Sequence, residues 1–216
     1  MPRLKPAVQK LRREHILDAA ERCFGEAGFH RTTMQGICKA AGVSPGAVYV
    51  YFDSKEALIE GIVERDRAQF QARFQQVVAA EDVMAALNAL GNQYLVDEPA
   101  YKNCLCIEMG IEATRNERVG TIVRAVDELV LDSFRALFQR LKDQDRIRPV
   151  LDVADLAKVF MVLGDGVFWR RAVDPGFDAK ATLPAVMHVI ENLLRPVEGP
   201  GAAARCAARK GLEMSE

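Results

Sequence analysis

The sequence has 216 residues, half of them hydrophobic, and a formal net charge of −1 at pH 7. This length suffices for one or two domains with a buried core, and no run approaches the roughly 20 consecutive apolar residues that cross a membrane. The five cysteines are scattered and odd in number, which argues against a disulfide framework, and the N-terminus lacks the apolar run of a secretion signal. We therefore predict a cytoplasmic protein.

Charge is distributed unevenly along the chain. Residues 1–55 contain 9 Lys/Arg and 5 Asp/Glu, whereas residues 56–195 contain 17 Lys/Arg and 22 Asp/Glu. Phosphate binding requires positive charge only locally. The basic N-terminal part therefore favours a nucleic-acid contact confined to one end of the molecule.

Helical periodicity dominates the chain, and no stretch alternates convincingly between apolar and polar residues as a strand would. The first helix carries its apolar face on Ile16, Ala20 and Phe24 and ends at Gly28. Capping residues and prolines mark most later boundaries. The predicted helices run from the basic arm to Ala27, then over about 34–40, 45–52, 55–78, 83–96, 101–114, 117–141 and 153–171, with a last helix that has Pro184 in its first turn and ends at Leu194.

The most informative stretch is Thr33–Lys55, which reads TMQGICKAAGVSPGAVYVYFDSK. It contains two short helices joined at Gly42, where glycine permits the left-handed backbone of a tight turn. If Val48 and Phe52 pack onto the first helix, small residues at the start of the third helix face outward and can approach base edges closely. The predicted DNA-binding residues supply hydroxyls, a methyl group, a lysine charge and helix N-termini that favour phosphate; they are Thr33, Ser44, Pro45, Gly46, Ala47, Tyr49, Tyr51 and Lys55.

The pattern T…I…AAGVS…G..Y.YF.SKE.L, preceded by a basic first helix, resembles the tetracycline-repressor (TetR) family of transcription regulators over residues 10 to about 62. The resemblance implies a DNA-binding head of three helices, a body of about six helices, dimerisation through the last two, and DNA contact by the residues named above. Two positions depart from the family pattern. Asp53 stands where a basic residue is frequent, and Val50 stands where Tyr or His often reaches the DNA backbone. We therefore expect weaker binding to DNA phosphates than is typical of the family.

We accordingly predict an all-α fold, with an N-terminal three-helix bundle that contains the helix-turn-helix and a C-terminal domain of about six helices. The predicted domains are a DNA-binding domain at 1–56 with a basic arm at 1–9, and a ligand-binding and dimerisation domain at 57–195. The arm either follows the minor groove or is a solvated tail. Residues 196–216, rich in Gly, Ala and Arg, are expected to be disordered.

A regulator of this kind needs an element with two states that a ligand binds unequally, which predicts a cavity in the body. Aromatic and Met-rich linings favour an apolar or amphipathic small molecule as effector. Glu108 and Glu112, one turn apart, either meet a cation or face solvent. The candidate lining residues, each of which could equally be plain core, are Phe70, Phe74, Tyr94, Cys104, Met109, Phe134, Phe138, Phe160 and Trp169.

Two alternative signals keep the same DNA-binding scaffold. Cys104 and Cys106 could sense oxidants or electrophiles, or bind a soft metal. Residues two apart on a helix point about 200° away from each other, so a buried apolar role is favoured and no metal or cofactor is predicted. The other alternative is a regulator controlled by a partner protein.

The dimer is predicted to form through the last two helices. The helix over 153–171 is apolar nearly all round and must be buried on every side. Pairing it and the last helix with their symmetry copies gives an isologous four-helix interface. The predicted interface residues are Leu156, Phe160, Leu163, Val167, Val186, Met187 and Ile190.

An enzyme is the least favoured class. The sequence has no metal-ligand spacing, no glycine-rich phosphate loop and no nucleophile elbow. The GVSPG segment joins two helices and does not follow a strand. We therefore predict a non-enzymatic, ligand-responsive repressor that binds palindromic operator DNA as a homodimer.

Overall fold

The computed structural model describes residues 6–197, and this part of the chain has an all-α fold, as predicted. It contains no strand within these bounds; Ile147 and Pro196 form one isolated antiparallel bridge. A π-helical segment, Asn92–Asp97, follows the fifth α-helix. The α-helices are α1 Pro6–Ala27, α2 Met34–Ala40, α3 Pro45–Tyr49, α4 Lys55–Ala79, α5 Val83–Gly91, α6 Ala100–Ala113, α7 Glu117–Asp143, α8 Val153–Val173 and α9 Ala179–Leu194.

Three boundaries differ from the prediction. The third helix, expected over 45–52, ends at Tyr49. The helix expected over 83–96 is α-helical only to Gly91 and then continues as the π-helical segment, a change of winding that apolar periodicity does not encode. The last helix begins at Ala179, because the Asp178 carboxylate accepts a hydrogen bond from the Ala181 N–H and caps it. Pro184 therefore lies inside α9 and not in its first turn.

The described chain forms two compact units. The first comprises the residues up to Phe70 with Glu98–Glu128 and Val167–Phe177. Its core joins apolar faces of α1 to α4 with Leu105 of α6 and Val119 of α7, so it extends beyond the division predicted at residue 56. A Cβ atom at Gly25 of α1 would overlap the carbonyl group of Tyr101, which means that α1 and α6 approach with backbone nearly in contact.

The second unit comprises Gln71–Asp97, Leu129–Gly166 and the described residues from Asp178 onward. Its core contains a cluster of phenylalanine rings whose centroids lie 4.6 to 5.7 Å apart. Beyond α9, Val197 donates its N–H to the carbonyl of Arg146, so ordered pairing continues two residues into the segment predicted as tail. The rest of that tail, 198–216, lies outside the described residues. No helix in residues 6–197 is long and apolar enough to span a membrane.

Candidate DNA-binding site

The α2–turn–α3 segment has the caps and the turn that its sequence predicts. The Thr33 Oγ1 atom accepts a hydrogen bond from the Gly36 N–H at 3.0 Å, and the Ser44 Oγ atom accepts one from the Ala47 N–H at 3.3 Å. Gly42 has φ +62°, a left-handed conformation in which glycine is favoured. Each hydroxyl uses an acceptor lone pair for its cap, which leaves its O–H free to donate to a phosphate.

α3 divides into a buried side and an exposed side. Val48 and Phe52 are buried in the first unit's core. Tyr49 and Val50 are 54% and 78% exposed, respectively. Together with Gly46 they stand at positions i, i+3 and i+4 and therefore share one side of the helix. We call Gly46, Tyr49 and Val50 the exposed face of α3.

Gly46 is not required by the fold. Its backbone does not have a positive φ, and within the described chain no neighbouring atom lies within 4 Å of the position that a Cβ would occupy. Because glycine in a helix is less stable than alanine by roughly 0.5–1 kcal/mol, its presence here has no benefit inside the chain. The fold itself therefore gives no reason for a glycine at this position.

The helix-turn-helix has one support that the sequence analysis missed. The ring nitrogen Nε2 of His15 on α1 lies 2.8 Å from the carbonyl oxygen of Ala41, at the end of α2. This hydrogen bond fixes the turn relative to α1. Nothing in the spacing of His15 and Ala41, 26 residues apart, could have predicted it.

Comparison with known proteins identifies the family of this chain. Residues 16–62 match the family described as "Bacterial regulatory proteins, tetR family". The HTH-type transcriptional regulator UidR of Escherichia coli strain K12 is 31% identical over 159 residues, which are 72% of this chain and 79% of that protein. The chain belongs to the TetR family. It is therefore a DNA-binding transcription regulator with an N-terminal helix-turn-helix, as predicted.

Solved structures of TetR-family proteins have the same fold. The structure of Salmonella enterica GusR has a TM-score of 0.73 and 27% identity, and the match covers 89% of this chain and 98% of that one. The transcriptional regulator FadR from Bacillus subtilis in complex with stearoyl-CoA has a TM-score of 0.69 at 20% identity, over 82% of this chain and 96% of that one. This second likeness concerns the fold alone.

Two residues predicted to contact DNA have contacts within this TetR-family chain. The Lys55 Nζ atom donates to the carbonyl oxygen of Phe29 at 2.6 Å and lies 4.1 Å from the centre of the Phe29 ring. Tyr51 is half-buried and packs against the core beside Phe52. The ammonium group of Lys55 thus supports the loop before α2, a role that its place in the family pattern did not suggest.

The basic residues of the arm and of the start of α1 lie only partly within the described chain. Arg3 and Lys5 lie outside the described residues, and α1 begins at Pro6. Lys10 and Arg12 are exposed on α1. Arg13 instead pairs with Glu64 of α4 at 2.8 Å, so its charge is partly neutralised within the head.

The residues predicted to line a ligand cavity have diverse environments. Phe74, Phe138 and Phe160 are buried and pack with Phe134 in the ring cluster of the second unit. The half-buried candidates are Phe70, Tyr94, Cys104, Met109 and Phe134. Trp169 differs from the prediction, because it is 52% exposed on α8. Several of these side chains therefore serve the core of the chain itself.

Glu108 and Glu112 neither form a cation site nor face solvent. The Glu108 carboxylate accepts a hydrogen bond from the Phe29 N–H at 3.3 Å. Glu112 is buried, and its carboxylate lies 2.8 Å from the Nε2 atom of His30. Both acidic residues of α6 thus contact the loop that leads into α2.

Cys106 of α6 does not have the properties of a reactive thiol. Part of Cys106 reaches solvent. Burial by surrounding atoms, and then the negative charges of Asp66 and Glu98 against the opposing charge of Lys102, raise the pKa of its thiol to about 11. A thiolate is the reactive form, so Cys106 is almost entirely the unreactive thiol at pH 7. Among the described residues no group of three His, Cys, Asp or Glu side chains could hold a metal ion.

α8 and α9 each present apolar side chains to solvent in the single chain. Val162 is 68% exposed, and Val162, Gly166, Trp169 and Val173 follow one another at steps of four, three and four along one side of α8. Val189 of α9 is also exposed. Among the predicted interface residues, those buried within the chain are Leu156, Phe160, Val167 and Ile190, and those half-buried are Leu163, Val186 and Met187. The four buried residues therefore pack in the core of the chain itself.

Proposed function

We propose that the chain is a ligand-responsive repressor, active in the cytoplasm, that binds a palindromic operator as a homodimer. The observation that carries the proposal is the exposed face of α3, where Gly46 leaves open space that the fold itself does not need. In the proposed complex, α3 enters the major groove with this face toward the bases. Tyr49 and the Ala47 methyl group read base edges, and Val50 adds an apolar contact.

Thr33 and Ser44 hold the DNA backbone in this proposal. Each residue caps a helix N-terminus, and each retains an O–H donor for a phosphate oxygen. Lys55 is assigned to support of the loop, because its ammonium group is bound to the Phe29 carbonyl. Asp53 is exposed nearby, and its carboxylate repels phosphate. We therefore assign the DNA affinity more to the contacts of α3 than to positive charge.

The dimer is proposed to form through the exposed side of α8 together with α9. Large exposed apolar side chains in a row mark interaction surfaces, and Val162, Trp169 and Val173 form such a row. Gly166 has open space at its Cβ position and permits close approach of a second helix. An isologous pairing would hold two heads about 34–36 Å apart, the spacing of successive major grooves.

The effector is proposed to be a small apolar or amphipathic molecule. Support comes from the aromatic and sulfur-containing side chains that remain half-buried, such as Phe70, Tyr94 and Met109. A structural neighbour, FadR from Bacillus subtilis, is described in complex with stearoyl-CoA, which is amphipathic. Release of DNA requires that the effector bind more tightly to the conformation in which the spacing of the two heads does not match successive major grooves. A coupling free energy of about 1–3 kcal/mol suffices.

Selection of bound duplexes from a random DNA library tests the proposal. We expect one inverted-repeat sequence to be enriched, bound by two chains, with an affinity that falls steeply as salt increases. Placing that sequence at a promoter then tests repression, and small amphipathic molecules are screened for release. Failure to enrich any sequence would contradict the operator-binding proposal, and release only by a protein fraction would replace the small effector with a partner protein.

A further inference from the structure

The loop between α1 and α2, residues 28–33, is held by groups from two other helices. The Phe29 N–H donates to Glu108 of α6 at 3.3 Å, and the Phe29 carbonyl accepts from Lys55 of α4 at 2.6 Å. One residue later, the His30 ring meets the Glu112 carboxylate at 2.8 Å. Both backbone polar groups of Phe29 and the next side chain are thus bound. We call residues 28–33 the α1–α2 loop.

The carboxylates of Glu108 and Glu112 on α6 pack closely against the α1–α2 loop and its surroundings. Glu112 is buried, and its second oxygen accepts from the Asn116 side chain at 3.2 Å. The Glu108 carboxylate lies 3.1–3.3 Å from the position that a Cβ at Gly28 would occupy. Gly28 has φ +82°, so glycine provides both the turn that starts the loop and the space for the carboxylate.

The nearness of DNA gives no electrostatic reason for two acidic residues beside this loop. The loop ends at Thr33, the N-cap of α2 and a proposed phosphate contact. Two carboxylates in contact with this loop repel an approaching DNA phosphate, and this repulsion would be absent if neutral residues stood at positions 108 and 112. Their presence is explained if they perform another task that outweighs the repulsion.

We infer that Glu108 and Glu112 are positioning residues for DNA binding. They fix the α1–α2 loop and with it the N-terminal end of α2, so that Thr33 is held where it meets phosphate. The inference rests on the proposed function, which it deepens by naming α6 as the helix that sets the position of the head. Neither residue touches DNA in this scheme.

The direction of the change in operator affinity on removal of a glutamate distinguishes a positioning role from a purely electrostatic role. Removing an acidic residue near the DNA reduces repulsion, so a purely electrostatic role predicts tighter binding. A positioning role predicts weaker binding to the operator, with no change in the salt slope because no phosphate contact by a cation is lost. Glu117 on α7 provides a matched control, since it is exposed and its carboxylate pairs with Arg124 at 2.8 Å.

The experiment compares the full chain with Glu108→Ala, Glu112→Ala and Glu117→Ala on the selected operator and on random duplex. We expect Glu108→Ala and Glu112→Ala each to weaken operator binding roughly 3- to 30-fold, within the range of positional coupling, with random-duplex affinity and salt slope unchanged. Glu108→Gln, which keeps an acceptor oxygen for the Phe29 N–H, should restore most of the affinity. Without DNA, the Phe29 amide should exchange faster in Glu108→Ala than in Glu117→Ala.

Each result has a defined meaning. Thermal unfolding is recorded for every variant, and if Glu112→Ala does not fold, Glu108→Ala and its glutamine rescue carry the test. Operator binding by Glu108→Ala that equals or exceeds that of Glu117→Ala overturns the inference while leaving the proposed function intact. If the unaltered chain enriches no operator, the proposed function fails, and the inference fails with it.

Discussion

Gly46→Ala should make this protein more stable and a poorer DNA binder at the same time. Gly46 lies in the first turn of α3, where its backbone is compatible with any residue and, in the described chain, a Cβ would meet no atom within 4 Å. The added methyl group therefore costs nothing inside the chain. It points from the exposed face of α3, where the proposed complex brings DNA closest.

The two effects have different magnitudes. Replacing a helical glycine by alanine gains about 0.5–1 kcal/mol, which for a chain of this size raises Tm by about 1–4 °C. Forcing a methyl group into a closely packed interface costs typically about 1–3 kcal/mol, which corresponds to about 5- to 150-fold weaker operator binding. Differential scanning calorimetry measures the first effect, and fluorescence anisotropy with labelled operator measures the second.

Gly110→Ala is the matched control. Gly110 is an exposed glycine of α6 that, like Gly46, has open space at its Cβ position within the described chain. It should gain similar stability with unchanged DNA affinity. If Gly46→Ala binds operator as tightly as Gly110→Ala, DNA does not approach this side of α3; if it lowers Tm, the open space assigned to Gly46 is wrong.

Four further predictions concern single side chains. Tyr49→Ala should reduce the preference for operator over scrambled duplex, measured by competition, and equal losses on both would contradict a reading role. Lys55→Ala should lower the free energy of unfolding in urea by about 1.5 kcal/mol, the low end for a hydrogen bond that involves a charged group, and leave the salt slope of DNA binding unchanged; a slope reduced by one unit would instead indicate a phosphate contact. Val162→Glu should yield a folded monomer in analytical ultracentrifugation, whereas Phe160→Glu should unfold the chain because that ring is buried; a folded dimer of Val162→Glu argues against the proposed interface. Cys106 should react slowly with iodoacetamide at pH 7 and faster as the pH approaches about 11, because its pKa is raised; fast labelling at pH 7, read by mass spectrometry, would restore the thiol-sensor alternative.

The parts of the fold governed by local chemistry were predictable from the sequence. The bounds of α2 agree with the prediction because Thr33 caps its first turn and Gly42 provides the left-handed turn beyond it. The predicted start of α9 is wrong, and the reason is equally local. Proline favours the first turn of a helix, but the Asp178 cap lies six residues upstream of Pro184, so that the proline lies inside α9.

Contacts between distant parts of the chain were not predictable. Periodicity identified α6 as a helix, but whether Glu108 meets solvent, a cation or a backbone amide depends on which helix packs beside it. Its partner, Phe29, is 79 residues away in the chain. In the same way, the apolar character of α8 indicated burial but did not separate Phe160, which packs in the chain's own core, from Val162, which stays exposed.

The contacts of α6 restrict how a signal can reach the head. Its first turn is tied to α1 by Lys102, whose Nζ atom lies 3.2 Å from the buried Glu21 carboxylate, and by the backbone approach of Tyr101 to Gly25. Its later turns hold the α1–α2 loop. Because these attachments lie near both ends of α6, a slide of α6 by one helical turn of about 5.4 Å would break all of them together. An effector that displaces α6 therefore moves α1 and the α1–α2 loop with it. The DNA-binding head then moves as a rigid unit, and α6 does not shift alone along α1.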